Sequence, residues 1–303
     1  MLAARVLSAL AFLGLTAAAP PRLSSRQSTA ITALSAAQIS SFTPYINYAA
    51  AGYCKPASTK AWNCGANCNA NAGFQTVASG GDGSAVQYWY VGYDANLNTI
   101  IVTHQGTDPT KFLADETDVD FFLQHMNTTL FPGLSSSIEV HSGFADEHAL
   151  TAPSILAAVQ AAVAKWPSVK SVTLVGHSLG GALALLDFAY LPLHLPSLQY
   201  KGIMFGMPRV GNQAWADYIS QGSLITHVNN KLDIVPIVPG RGLGFHHPTG
   251  EVHIQDDSAS EWLACPGQDN TSGKCTTGAV PTIFDGSIIN HLGPYNGIWM
   301  GSC

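Results

Sequence analysis

The sequence predicts a single α/β domain, in which a mixed, mostly parallel central sheet is covered by helices on both faces. Segments typical of strands alternate along the chain with segments typical of helices, an order that yields parallel strands joined by helices. Hydrophobic residues make up 47% of the 303 residues, which suits a sheet buried on both sides. No internal repeat and no long linker divides the chain after its N-terminal segment.

Each predicted element follows from a local pattern. A run in which apolar residues fall on one side of a 3.6-residue period predicts a helix, and short β-branched or alternating runs predict strands. Asp94–Asn98 has the composition of a turn. The predicted helices are residues 36–51, 145–165 and 178–190, and the predicted strands are residues 85–93, 99–104, 171–175, 203–205, 224–228 and 251–254.

The N-terminus reads as a secretory signal over residues 1–19. Arg5 precedes an apolar stretch at residues 6–15, and small residues at 16–19 offer a cleavage site. That stretch is too short to span a bilayer, which needs about 20 residues. We therefore expect an extracellular protein with no transmembrane segment, in which residues 20–35 form a propeptide or flexible tail and residues 36–303 form the single folded domain.

Charge excludes two broad classes of protein. Only 11% of the residues are charged, and 13 basic against 19 acidic residues give a formal charge of −6. A disordered chain combines low hydrophobicity with high net charge, which is not the case here. Nucleic acid is not an expected partner, because no basic stripe is present to neutralise phosphates. The sequence does not indicate an oligomeric state.

Six cysteines in an exported chain favour disulfides over a metal site. Spacing alone allows about 15 pairings, of which the simplest set is Cys54–Cys303, Cys64–Cys68 and Cys265–Cys275. We expect no metal, because no second close Cys/His pair accompanies Cys64 and Cys68. Asn127 and Asn270 begin N-glycosylation sequons and are predicted to lie on surface loops.

The strongest functional signal is the run Gly176-His177-Ser178-Leu179-Gly180. An apolar strand leads into this G-x-S-x-G pattern and an apolar helix leads out of it, which is the context of a nucleophile elbow. The glycines relieve the crowding of a tight turn, and the serine hydroxyl then projects at a helix N-terminus, where developing negative charge is favoured. Ser178 is therefore the predicted nucleophile, whereas His177 is interpreted as a packing residue.

A serine nucleophile needs an acid and a base, which in this type of fold follow it in the order Asp, then His. Asp187 falls in a predicted helix and Asp217 in a helix-like stretch, while Asp233 follows a predicted strand, at the edge where open α/β sheets build their sites. Asp233 is thus the predicted acid. His291 lies in a late loop outside any predicted strand and is the preferred base, with His246 left open as the alternative.

These residues together resemble the fungal class 3 lipases, secreted enzymes whose family also contains type A feruloyl esterases. The likeness extends over nearly all of the predicted mature chain. The matching segments are residues 104–108 (His-Gln-Gly-Thr-Asp), 141–144 (His-Ser-Gly-Phe), 176–181 (the elbow), 206–212 (Gly-Met-Pro-Arg-Val-Gly-Asn) and 230–236 (Asn-Lys-Leu-Asp-Ile-Val-Pro).

The resemblance implies an α/β-hydrolase fold and a Ser178–Asp233–His291 triad, which places His291 well ahead of His246. It also implies that the backbone N–H groups of Thr107 and Leu179 bind the oxyanion, that no cofactor is needed, and that the disulfide set given above is similar to one found in the family. Gln105 stands where the family usually has Arg, which puts the rigidity of this loop in question.

The sequence indicates the substrate class less clearly than it indicates the catalytic mechanism. In the family, a short amphipathic lid follows the oxyanion loop, and Phe112 and Leu113 are its candidate apolar face here; a polar loop with a buried aromatic anchor is the alternative. We expect a triacylglycerol lipase acting on its ester substrate at a lipid–water interface. A feruloyl or soluble short-chain esterase is the alternative, and an acyltransferase, a peptidase or an inactive lipid-binding relative ranks lower.

Overall fold

The computed structural model describes residues 30–107, 122–222, 224–255 and 261–303. Within these ranges the strands are β1 (Thr32–Ala33), β2 (Phe74–Gly80), β3 (Trp89–Asp94), β4 (Thr99–His104), β5 (Leu123–His125), β6 (Glu139–His141), β7 (Ser171–His177), β8 (Gln199–Phe205), β9 (Gly211–Asn212), β10 (Ile225–Asn230), β11 (Phe245–His246), β12 (Glu251–Ile254) and β13 (Trp262–Cys265).

Helices fill the connections between these strands. Among the described residues, no helix has the length and apolar character needed to cross a membrane. The α-helices are α1 (Ala36–Ser40), α2 (Thr43–Ala51), α3 (Pro56–Ala61), α4 (Ala66–Ala70), α5 (Ser142–Lys165), α6 (Leu179–His194), α7 (Gln213–Ser220), α8 (Thr276–Ala279) and α9 (Ile288–Leu292), and short 3₁₀ turns cover Val235–Ile237, Arg241–Leu243 and Ile283–Asp285.

The central sheet is mixed, with a parallel middle. Its strand order is β1-β13-β12-β10-β8-β7-β4-β3-β2. The five strands from β12 to β4 run parallel, and antiparallel pairs extend the sheet at both edges. A second sheet has the order β11-β9-β6-β5. This architecture confirms the expected α/β class, and it gathers the carboxyl ends of the parallel strands at one edge, where such sheets carry their sites.

Alternating side chains of the parallel strands build a core on each face of the sheet. Ile100 and Leu174 point to the face covered by α5 and α6, where Ile155 and Leu185 are fully buried. Their neighbours on the other face belong to a second cluster that includes Ile46 of α2. Both faces are thus closed, as the apolar composition of these strands requires.

Several element boundaries differ from the sequence prediction. The single helix expected at residues 36–51 is two helices, since Ser35 caps α1 and Pro44 restarts the chain as α2. The strand expected at residues 85–93 begins at Trp89. Strand β2, strand β13 and the second sheet were not predicted, because most are short or partly buried segments without a clear period. His291 lies in the helix α9, not in a loop.

The structure contains the three disulfides of the simplest pairing: Cys54–Cys303, Cys64–Cys68 and Cys265–Cys275. The first joins residues separated by 249 positions. It therefore fastens the C-terminus, which follows α9, to the segment after α2.

The two sequons differ in their surroundings. Asn127 is exposed, and its Oδ1 accepts a hydrogen bond from the Thr129 backbone N–H at 2.9 Å. Asn270 is half-buried, and its Nδ2 donates to the Pro266 carbonyl at 2.8 Å. Because Nδ2 is the atom that a glycan would modify, Asn127 is the more accessible of the two. Glycosylation at either position stays a prediction.

Candidate active site

Ser178 occupies a strained turn between β7 and α6. Its backbone has φ 58° and ψ −134°, a conformation that non-glycine residues rarely adopt. The flanking glycines cannot be replaced without a clash: a Cβ on Gly176 would lie 2.1 Å from the Gly180 carbonyl oxygen, and one on Gly180 would lie 2.3 Å from that of His104. The structure thus has the tight elbow that the sequence predicts, with its serine at the start of a helix.

Asp233 and His291 form a buried pair. Asp233 follows the end of β10, and its Oδ2 lies 2.9 Å from the Nδ1 of His291. Its Oδ1 accepts the backbone N–H of Val235 at 2.9 Å, so the carboxylate is held from both sides. Because Nδ1–H donates to Asp233, the Nε2 of the imidazole is left as the basic atom.

Gly206 lies directly against this pair. It has φ +51°, and a Cβ added to it would come within 2.8 Å of His291 Nδ1 and 2.9 Å of Asp233 Oδ2. The preceding residue, Phe205, accepts a hydrogen bond from the Ser178 backbone N–H at 3.0 Å. Gly206 therefore connects the elbow to the Asp–His pair. The Ser178 Oγ is buried and has no hydrogen-bond partner within the described ranges.

His177 packs against His291 and holds its position. The two rings stack with centroids 4.3 Å apart. The Tyr53 hydroxyl lies 2.6 Å from His177 Nδ1, and His177 Nε2 lies 2.8 Å from the His291 carbonyl oxygen, which also accepts the Tyr295 hydroxyl at 3.2 Å. Burial and the neighbouring His291 lower the pKa of His177 well below its usual range, so the ring is neutral. The interpretation of His177 as a packing residue was incomplete.

The loop after β4 passes over Ser178. A Cβ on Gly106 would lie 2.7 Å from the His177 carbonyl oxygen and 3.0 Å from Ser178 Cβ, which brings the next residue, Thr107, to the elbow. Leu179 is the first residue of α6, and the first N–H groups of a helix have no partner within it. The predicted oxyanion donors therefore lie on two segments that meet at Ser178.

The chain also matches known proteins. The model of the family described as lipase (class 3) matches residues 101–243. A secreted mono- and diacylglycerol lipase of Malassezia globosa is 31% identical over 220 residues, which cover 71% of this chain and 69% of the relative. The chain belongs to the class 3 lipase family. A similarly named Malassezia restricta lipase is 31% identical over 199 residues, or 65% of this chain, and the match spans only 61% of that relative.

Solved structures of lipases share the fold of this class 3 lipase chain. Lipase II from Rhizopus niveus superposes with a TM-score of 0.78 at 30% identity, over 90% of this chain and 100% of that structure. The α/β-hydrolase fold implied by the resemblance is therefore confirmed.

Gln105 replaces the arginine that class 3 lipases usually carry in the oxyanion loop. Its backbone N–H donates to the Tyr88 carbonyl at 2.7 Å, and its Oε1 accepts the Tyr88 N–H at 2.9 Å. The amide thus fastens the loop to the segment before β3. Phe112 and Leu113, the candidate lid residues, lie outside the described residues.

Other candidate residues of this class 3 lipase are not brought to the site. His246 lies in β11, 3.5 Å from Asp269, and not beside Asp233. Asp187 is buried between two imidazole rings, and Asp217 accepts the side-chain amide of Gln213 on α7. In the structure His291 lies beside the predicted acid Asp233, and His246, the alternative that the sequence left open, does not.

Potential metal ligands come together in one place within the described ranges, at Glu251, Cys265 and Cys275. The two cysteines are joined in a disulfide, so their sulfurs are not available as thiolate ligands. This group is therefore a structural cluster and not a metal centre.

Sequence reasoning missed three residues of the site, namely Tyr53, Gly206 and Tyr295. The run around Gly206 was noted only as part of the family resemblance. Tyr53 lies 124 positions from its partner His177, so no local pattern relates the two. Burial and the Asp233 charge raise the pKa of Tyr295 well above its usual range, which keeps its hydroxyl a hydrogen-bond donor.

Proposed function

We propose that this chain is a secreted carboxylic ester hydrolase, and specifically a lipase that cleaves acylglycerols at a lipid–water interface. Ser178 is the nucleophile, His291 the general base and Asp233 the acid that orients it. The observation that carries the proposal is the buried 2.9 Å contact between Asp233 and His291, placed beside a serine with strained backbone. No cofactor is required for this chemistry.

The first half of the reaction acylates the enzyme. His291 Nε2 takes the Ser178 proton as Oγ attacks the ester carbonyl, and Asp233 stabilises the imidazolium that forms. The resulting imidazolium then gives that proton to the leaving alcohol as the carbon–oxygen bond breaks. The acyl group is left as an ester of Ser178.

In both halves of the reaction, negative charge develops on the carbonyl oxygen of the substrate. The backbone N–H groups of Thr107 and Leu179 donate hydrogen bonds to this oxyanion, and each such donor stabilises the transition state by about 3 kcal/mol in comparable sites. In the second half, His291 takes a proton from water, which attacks the acyl-enzyme, and returns it to Ser178 Oγ as the acyl carbon–oxygen bond breaks and the fatty acid is released. The strained elbow suits this chemistry because it places Oγ at the N-terminus of α6, where negative charge is favoured.

Two lines of support favour acylglycerols as the substrate class. The Malassezia relatives are named mono- and diacylglycerol lipases, and the low content of charged residues, 11%, suits contact with apolar material. Secretion is supported by the signal-like residues 1–19, by three disulfides and by the relatives, which are named secreted lipases.

The proposal is tested with the purified protein on emulsified triolein, diolein and monoolein, with methyl ferulate as the competing ester class. We expect fatty acid release from at least one oleoylglycerol and little hydrolysis of the ferulate. Ser178→Ala should lower the rate by about 10⁴-fold or more while its circular dichroism spectrum is unchanged. Hydrolysis of the ferulate alone, or an active Ser178→Ala variant, would contradict the proposal.

A further inference from the structure

A buried carboxylate outside the Asp233–His291 pair takes no part in the chemistry described above. Asp187 lies in α6, and its Oδ2 is 2.7 Å from His104 Nε2 while its Oδ1 is 2.9 Å from His148 Nε2. All three side chains are fully buried. Since His104 ends β4 and His148 lies in α5, one carboxylate links the sheet to two helices.

Asp187 is held as an anion. Burial alone would raise the pKa of this carboxyl, but the hydrogen bonds from His104 and His148 outweigh burial and hold its pKa at about 2. Within the described ranges, the Nδ1 atoms of both rings have no hydrogen-bond partner. Each ring therefore donates from Nε2, and Asp187 is the polar contact that fixes the orientation of the His104 side chain.

His104 also leads directly into the oxyanion loop. Its backbone rests on the first turn of α6, since a Cβ on Gly180 would lie 2.3 Å from the His104 carbonyl oxygen and 2.8 Å from the Gln105 carbonyl carbon. The same residue is thus attached to α6 twice, through its backbone at Gly180 and through its ring at Asp187. Thr107 follows only three positions later.

We infer that Asp187, acting through His104, is a positioning residue that fixes the oxyanion loop, and with it the Thr107 amide, relative to the Leu179 amide on the same helix. This inference rests on the proposed ester hydrolysis. Oxyanion donors act only when they are placed within a few tenths of an ångström of the developing charge. A loose β4–α6 junction separates the two amides and weakens binding of the transition state more than binding of the ester.

His148 offers a matched control for His104. Both rings donate one hydrogen bond to Asp187, at 2.9 and 2.7 Å, and both are fully buried. The other ring contacts of His148 are with Phe131 and Tyr190, at 5.5 and 5.4 Å between centroids. Replacing either histidine by phenylalanine removes one hydrogen bond from the same carboxylate, but only His104 continues into the oxyanion loop.

The experiment compares His104→Phe with His148→Phe in the full chain, using a soluble short-chain ester and a boronic acid that mimics the tetrahedral intermediate. We expect His104→Phe to lower kcat about 30-fold with KM changed less than about threefold, and to weaken boronate binding by a factor similar to the loss of kcat. For His148→Phe we expect a lower melting temperature and a kcat within about threefold of wild type.

A conservative pair keeps the test decisive if a phenylalanine variant does not fold. The side-chain amide of glutamine can still donate to Asp187, so His104→Gln should retain more kcat than His104→Phe, and should still lose more than His148→Gln. Equal losses of kcat at the two positions, in whichever pair folds, would overturn the inference. A wild-type protein that hydrolyses no ester would instead overturn the proposed function, so the two failures are distinguishable.

Discussion

The imidazole of His177 stacks on that of His291 with ring centroids 4.3 Å apart, and its Nε2 lies 2.8 Å from the His291 carbonyl oxygen. The ring of the residue before Ser178 therefore contacts both the ring and the backbone of the proposed base. Because burial keeps His177 neutral, it supports His291 without adding a positive charge that would oppose protonation of the base. The elbow thus positions the proposed base as well as the proposed nucleophile.

Replacement of the proposed base should abolish hydrolysis. We expect His291→Ala to lower kcat by about 10⁴-fold or more, because proton transfer from Ser178 is lost. The control is His246→Ala, whose side chain is 28% exposed and lies beside Asp269; this variant should stay within about twofold of wild type. Initial rates on a soluble ester measure both, and the reverse ranking would transfer the role of base to His246.

Gly206→Ala should displace the Asp233–His291 pair and so lower both stability and activity. Its Cβ would lie within 3 Å of His291 Nδ1 and Asp233 Oδ2 on a backbone of positive φ, so we expect a loss of about 1–3 kcal/mol in stability and of about 10–100-fold in kcat. Gly133→Ala is the matched control, because Gly133 also has a positive φ, of +81°, and nothing lies within 4 Å of its Cβ. Urea unfolding and kinetics report the two losses; a fully active Gly206→Ala enzyme would contradict the described packing.

The three disulfides should differ in their effect on stability. The chain-entropy model gives about 5.5 kcal/mol for Cys54–Cys303, which closes a separation of 249 positions, and about 2 kcal/mol for Cys64–Cys68, which closes four. We therefore expect the double variant Cys54→Ala/Cys303→Ala to have a lower urea midpoint than Cys64→Ala/Cys68→Ala. Equal midpoints would show that the entropy of the unfolded chain does not control these differences.

Stability should fall on mild acidification because of buried neutral histidines. Burial lowers the pKa of His141 to about 4, whereas its unfolded value is about 6.5. The unfolded chain therefore binds this proton first, so the contribution of neutral His141 is fully present above pH 6.5 and is lost as the pH falls towards 4. His177, whose pKa is also lowered, acts in the same direction.

The measurement is the free energy of unfolding in urea between about pH 7 and pH 4.5, above the range in which most carboxylates titrate. His141→Gln should give a shallower slope than wild type, by up to about 1.4 kcal/mol per pH unit for the proton removed. Identical slopes in the two proteins would mean that His141 does not bind its proton preferentially in the unfolded state.

The sequence was sufficient where the chemistry is local. The elbow could be predicted because its strand, glycines, serine and helix are contiguous in the sequence. Asp233 could be predicted because it closely follows the segment that forms strand β10. His291 could not be separated firmly from His246 by pattern alone, since its contact with Asp233 spans 58 positions. The Asp187 cluster joins residues 39 and 83 positions apart, and packing alone brings them together.

The second sheet escaped prediction for a different reason. Strands β9 and β11 have two residues each, which is too short for any hydrophobic period to be visible. Their pairing depends on the fixed path of the chain around the larger sheet. The prediction therefore succeeded for long elements with a clear pattern and failed where tertiary packing determines the local structure.

The most direct test of the central assignment is mass spectrometry of the purified protein after treatment with a fluorophosphonate, combined with the residual rate of ester hydrolysis. We predict one adduct per chain, on Ser178, with activity lost in proportion to labelling and with labelling greatly slowed in His291→Ala. An enzyme that still hydrolyses esters with Ser178 fully labelled, or an adduct on a different residue that tracks the loss of activity, would contradict the account.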